Sequence, residues 1–359
     1  MLLMIEYLGG RPQQALVLAR QAVALWTSNG DGRHIVKGHF RIGSLLLVTG
    51  DTQAGKAELE RARALAADLH LVEQQRDVIV NLMKVYADCS DGAGMLALAD
   101  EAWRLSPSFP RPRTRQLLMQ ARTHAHMLLG QLSSALSIAD EVLADAQANG
   151  EPAALQYAVL TVLDLLVYLG DFERGRALLE RLANAGTQEL VYLGVKLALL
   201  RAFLEFHAGD AVAARAALAS IGDPQALQQP QDRLELALRD AELMLVQGQA
   251  AMALQRLDRA HEGTPPVQLL ATMWALRLRA ASVLGRVPVG EWQQARALLD
   301  TGTVPPLDSL GLQQALALTA PSLEWAAELT AARTTLVARL AESLSEHPTQ
   351  QAGFLRLWG

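Results

Sequence analysis

Apolar residues along this chain recur at helical spacing, and the runs are broken by a glycine at a near-constant interval. Leu155, Val159, Val162, Leu163 and Leu166 stand three or four apart, the period of one face of an α-helix. That run closes at Tyr168-Leu169-Gly170-Asp171, and Leu178, Leu179 and Leu182 resume the period beyond it. The same break recurs as Tyr7-Leu8-Gly9-Gly10, Val48-Thr49-Gly50-Asp51, Leu128-Leu129-Gly130-Gln131, His207-Ala208-Gly209-Asp210, Val246-Gln247-Gly248-Gln249 and Val283-Leu284-Gly285-Arg286, with a degenerate copy at Cys89-Ser90-Asp91-Gly92. Taken at glycines 9, 50, 92, 130, 170, 209, 248 and 285, the intervals run from 37 to 42 residues. A glycine accepts the left-handed conformation that ends a helix, and an Asp after it caps the next. Each unit is therefore predicted to be a helical hairpin.

Breakers such as Ser106-Pro107, Pro110-Arg111-Pro112, Gly222-Asp223-Pro224 and Val304-Pro305-Pro306 separate the hairpins, since a proline biases the residue before it away from the helix. One hairpin cannot bury its apolar face alone, so neighbours must stack. The expected fold is all-α: a right-handed αα superhelix, or solenoid, of about eight hairpins over residues 1–320. Residues 321–359 are expected to form a C-terminal capping helix, with Leu329, Leu336, Val337, Leu340 and Leu344 on one side, and a tail. At the other end only Met1 to Leu8 precede the first glycine. That incomplete hairpin is expected to mark a domain fragment, a truncated gene or a self-associating end.

Composition agrees with the pattern. Apolar residues make up 51% and aromatics 5%, so the apolar content is mostly Ala and Leu, good helix formers that pack closely. The net charge of -5 offers no general attraction to nucleic acid or an anionic membrane, and neither is expected as a partner. Cys89 is the lone cysteine, which fits a reducing compartment. Met1 to Gly10 lacks the basic start and apolar stretch of a signal peptide, so a cytoplasmic protein is expected. The 28 Arg against four Lys, with Ala and Leu abundance, suggest bacterial coding.

The Gly-Asp turn followed by an Ala-rich helix, as in Leu169-Gly170-Asp171-Phe172-Glu173-Arg174-Gly175-Arg176-Ala177, resembles the tetratricopeptide superfamily over roughly residues 1–320. The intervals are longer than that family's 34-residue unit. They are similar to the helical sensor regions of large bacterial regulators, in which an NTPase precedes such repeats; Leu340-Ala341-Glu342-Ser343-Leu344 and Phe354-Leu355 resemble the closing segment of such regions. The resemblance implies a non-enzymatic interaction or effector-sensing module of a transcriptional regulator or signalling system, binding a protein, peptide or small ligand on its concave face.

Candidate chemistry is sparse. Gly50-Asp51-Thr52-Gln53-Ala54-Gly55-Lys56-Ala57 satisfies G-x-x-x-x-G-K, but the motif needs Ser or Thr after the Lys to hold magnesium. Gly50-Asp51 is also explained by the repeat. A nucleotide-hydrolysing enzyme built on Gly50–Lys56 stands as the alternative, with a self-assembly scaffold beside it. His124 and His126 lie about 200° apart on a helix and cannot share a metal. No cofactor or metal is expected.

One pattern persists across units. Eight or nine residues before the turn glycines stand Arg41, Lys84, Arg122, Arg201, Arg239 and Arg277, with Val162 near Asp164 in the unit that lacks a cation. On first helices lining a concave face, these form a cationic ladder suited to an acidic or phosphorylated peptide through bidentate Arg contacts. The competing expectation is pairing with acids such as Asp164, Glu205, Glu235, Asp240 and Glu242.

Overall fold

The computed structural model describes residues 12–105, 112–150, 152–184, 191–224, 227, 230–260, 265–286 and 289–359. The turn at Gly9, the short segment before it, and Pro107 and Pro110 lie outside them. The described residues form eighteen α-helices and no strand. They fall into two compact units divided between Ala121 and Arg122.

The first unit holds α1 (Pro12–Ser28), α2 (Gly32–Val48), α3 (Thr52–Asp68), α4 (Val72–Asp88), α5 (Gly92–Leu105) and the start of α6 (Pro112–Leu128). Four of these helices are seventeen residues long and joined by three-residue turns. Each turn has one residue at positive φ: Gly30, Gly50, His70 and Ser90, twenty apart. Each helix with its turn thus spans twenty residues, half a hairpin, and turns between hairpins are built like turns within them. This corrects the reading at Gly92, which is buried inside α5 while Ser90 carries the left-handed conformation. Asp31, Asp51 and Asp91 accept from the amides of His34, Ala54 and Gly94 at 2.8–3.2 Å, capping the following helices.

Gly43 and Gly55 let α2 and α3 meet closely: a Cβ on Gly43 would stand 3.0 Å from the Gly55 carbonyl oxygen, and one on Gly55 3.1 Å from that of Gly43. Leu59, Ala62, Ile79 and Leu82 are fully buried in this unit.

The second unit continues with the rest of α6, then α7 (Leu132–Asn149), α8 (Pro152–Tyr168), α9 (Phe172–Asn184), α10 (Val191–His207), α11 (Ala211–Ala219), α12 (Pro230–Val246), α13 (Ala250–Ala260), α14 (Val267–Val283), α15 (Val289–Asp300), α16 (Pro306–Leu318), α17 (Leu323–Glu342) and α18 (Pro348–Trp358). The helices pair as hairpins, and α8, α10, α12, α14 and α16 also pack side by side as an inner layer. The spacing of left-handed turns stays at twenty through Gly130, Gly150 and Gly170, then loosens at Gly209, Gly248 and Gly285. Leu163, Leu204, Leu238, Leu278 and Leu312, one from each inner helix, are almost completely buried.

Residues 321–359 belong to this unit and contain two helices, the stretch after Pro348 being helical too. They reach back to early turns. Leu340 lies beside Gly130, and the Gly353 backbone lies against that of Gly170.

Candidate functional site

The inner layer of the second unit gathers charged side chains across four helices. On α8, Asp164 and Tyr168 stand one turn apart. On α10 are Lys196, Phe203 and His207; on α12, Asp232, Glu235, Arg239 and Glu242; on α16, Asp308. Helical period and the packing of these helices on one another bring residues so distant in sequence together.

Lys196 Nζ lies 2.7 Å from Asp232 Oδ1 and 2.9 Å from Glu235 Oε2. Arg239 is the hub. Its Nη1 donates to Glu242 Oε2 at 3.1 Å, and its guanidinium lies 3.6 Å from the Phe203 ring centroid, a cation–π contact strengthened by exclusion of water. The His207 ring meets Phe203 edge-on at 4.5 Å, with Nε2 4.0 Å from Glu242 Oε1. Tyr168 Oη donates to Asp308 Oδ1 at 3.2 Å.

The electrostatics are uneven. Burial opposes ionisation of Glu235, but Lys196 and then Arg239 outweigh it and hold its pKa low. Burial pushes Asp164 up to about 7, with Glu235 and Asp308 adding to the rise against Arg239 and Lys196. Burial likewise carries Asp308 to about 6, against the Tyr168 hydrogen bond and Arg239. Neither Asp164 nor Asp308 has an ion pair among the described residues, and both keep part of their surface. The layer can therefore accept a further positive charge.

The six cations of the expected ladder part company. Arg41 on α2 and Lys84 on α4 are exposed, but Lys84 stands six residues before its turn residue, Ser90, and so turns about 200° from the ladder position. Arg122 on α6 is half-buried and engaged in an interaction; Arg201 on α10 is exposed. Arg239 is held by Glu242. Arg277 on α14 binds Glu291 through Nη2 at 2.6 Å and also Asp258.

Of the acids expected to pair, Glu205 binds Arg176 (2.5 Å), Asp240 binds Arg256 (3.1 Å), and Glu235 binds Lys196. Lys196, Asp308 and Trp358 gave no signal in the repeat, because they lie off the ladder position or beyond the last glycine.

The Gly50–Lys56 segment has no strand before it. Residues 32–48 are helix, Asp51 caps α3, Gly55 serves helix packing, and Lys56 Nζ sits 3.8 Å over the Tyr86 ring. That geometry cannot wrap a phosphate, which needs a strand–loop–helix, and it removes the nucleotide-site alternative at this position. Among the described residues no three His, Cys, Asp or Glu side chains gather as metal ligands, and no helix is long and apolar enough to cross a membrane.

No family model matches the chain, and no curated protein matches it. Among solved structures it is similar to a tetratricopeptide repeat protein from Parabacteroides merdae, at 14% identity over 79% of this chain and 98% of that one, with a TM-score of 0.49. It is also similar to the TPR domain of P58(IPK), at 12% over 99% and 95%, TM-score 0.28. A third is the APC/C hetero-tetramer Cut9-Hcn1, at 13% over 100% and 89%, TM-score 0.29. In its own geometry each unit is an all-α helical repeat of paired helices joined by left-handed turns, and in the second unit the inner helices stack on one another.

Proposed function

We propose that this chain is a non-enzymatic binding module whose inner helix layer in the second unit takes a protein or peptide segment. The observation that carries the reading is the pair Asp164 and Asp308, part-exposed and without a cation in a layer where Lys196 and Arg239 are already engaged. A Lys or Arg from a partner supplies the missing charge there, and binding it lowers both carboxyl pKa values. The rings of Phe203 and Trp358 lie 4.5 and 6.5 Å from that of His207. Repeat arrays commonly present such concave surfaces. The sequence resemblance adds the setting: the sensor region of a bacterial transcriptional or signalling regulator, working in the cytoplasm.

The exposed Arg201 supports a second reading, in which an acidic or phosphorylated segment binds outside the engaged part of the ladder. One experiment separates the two. Basic, acidic and phosphorylated peptide libraries are titrated into the full chain while Trp fluorescence is followed at low and high salt. Binding of basic peptides that is lost in Asp164→Asn and Asp308→Asn supports the first reading. Binding of acidic peptides lost in Arg201→Ala replaces it with the second, and silence across all libraries sinks both.

A further inference from the structure

The C-terminal helix α18 is eleven residues long, shorter than a helix needs to persist alone. Its buried residues are Gly353 and Phe354, while Leu355 is 44% exposed. It is tied to α17, where Gln351 Nε2 donates to the Ala341 carbonyl at 2.8 Å and Arg333 to the Trp358 carbonyl, and, by specific contacts, to turns some 180–210 residues earlier. His347 Nε2 lies 3.1 Å from Ser133 Oγ, Gln350 Nε2 donates to Asp171 Oδ2 at 3.0 Å, and Trp358 Nε1 donates to the Tyr168 carbonyl at 2.9 Å. Gly353 meets the turn backbone to backbone: a Cβ there would stand 2.5 Å from the Leu169 oxygen, and one on Gly170 2.7 Å from the Gly353 oxygen.

The turn at Gly170 differs from its siblings in how it uses these groups. At Asp31, Asp51, Asp91 and Asp210 the turn carboxylate caps its own helix at 2.8–3.2 Å. Asp171 makes that bond at 3.4 Å while its other oxygen accepts from Gln350. The Tyr168 carbonyl is one of the acceptors a helix end leaves open, and the indole of Trp358 fills it. Phe354 and Trp358, four apart on one face, anchor this helix as apolar side chains anchor a helix docked in a groove, and Gly353 lets the backbones meet.

We infer that α18 is a detachable ligand held in cis, and that the turns Leu128–Ser133 and Tyr168–Phe172 form a docking site for a partner helix bearing a small residue, then Phe, then Trp four residues on. The pattern is that of Gly353, Phe354 and Trp358. A helix with so little buried surface opens more often than the helices beneath it, and a competing helix binds in proportion to the open fraction. Because Trp358 lies 6.5 Å from the His207 ring, opening also uncovers one end of the inner layer.

The test uses the full chain. In the wild type, hydrogen exchange of the α18 amides is expected to be at least tenfold faster than that of α17. A fluorescein-labelled peptide of residues 345–359 is then titrated into the wild type and into Gly353→Val, which clashes with Leu169 and frees the socket. The peptide is expected to bind the variant at least tenfold more tightly. Trp358→Ala serves as the release variant where Gly353→Val disturbs the whole fold. Amides of α18 that exchange only with global unfolding overturn the inference. So does a released variant, shown open by exchange, that ignores the peptide. Neither result bears on basic peptides at Asp164, so this inference and the inner-layer reading fail separately.

Discussion

Tyr168 and Asp308 meet across 140 residues of chain, the phenol donating to the carboxylate at 3.2 Å. The contact ties α16 to α8 and holds one of two carboxyls in the inner layer that resist ionisation. Burial, then Asp308 and Asp164 beside it, pushes the Tyr168 phenol well above its usual value, so it remains the donor throughout the accessible pH range.

The elevated carboxyls give the second unit a pH dependence of definite sign. In the unfolded chain both ionise near 3.8; in the folded chain they do so at about 7 for Asp164 and about 6 for Asp308. Between those values the folded state binds more protons, so stability falls as pH rises from about 4 to 7. Denaturant midpoints are expected to drop between pH 5 and pH 8. Asp164→Asn should raise stability by roughly 1–3 kcal/mol at pH 8, with the gain vanishing toward pH 4. An unchanged slope would place Asp164 in water.

Arg239 is predicted to be the costliest charge to remove. Arg239→Ala strands Glu242 and removes the cation from the Phe203 ring, so a loss of about 3–5 kcal/mol is expected in equilibrium unfolding. Arg201→Ala, at an exposed site on the neighbouring helix, should cost under about 0.5 kcal/mol.

His70 and Ser90 occupy left-handed turn positions, at φ 54° and 58°, that elsewhere among the described residues fall to glycine. Relief of the Cβ crowding should outweigh the extra freedom that glycine gives the unfolded chain. His70→Gly and Ser90→Gly are each expected to stabilise by about 0.5–1 kcal/mol in thermal or denaturant unfolding.

Lys56 gives a prediction about chemistry. With its ammonium over Tyr86, Lys56→Ala should cost about 0.5–1 kcal/mol of stability. ATP and magnesium should leave the melting temperature of both proteins unchanged; a nucleotide-dependent shift lost in the variant would reopen the phosphate reading.

These residues show what the sequence makes legible. Turns at Gly50, Gly130 and Gly170 announce themselves because glycine is the cheap residue at positive φ. The turns at His70 and Ser90 do not, since the same conformation is there imposed on ordinary side chains by the packing of seventeen-residue helices. With the left-handed conformation at Ser90 and not at Gly92, Lys84 stands off the ladder position. Arg239 and Glu242 were readable as a pair from their spacing of three. The meeting of Asp164 with Asp308, or of Trp358 with Tyr168, follows from how inner helices stack, and no local pattern encodes it.

The twenty-residue turn rhythm has a consequence for how such a chain changes over generations. When every helix has one length and every junction one conformation, a whole hairpin can be copied or lost without rewriting the joints on either side. Divergence then proceeds by changing the number of units and recolouring their faces, while the joints stay fixed. The looser rhythm after Gly170 removes that freedom there, in the stretch that carries most, though not all, of the unit's charged layer.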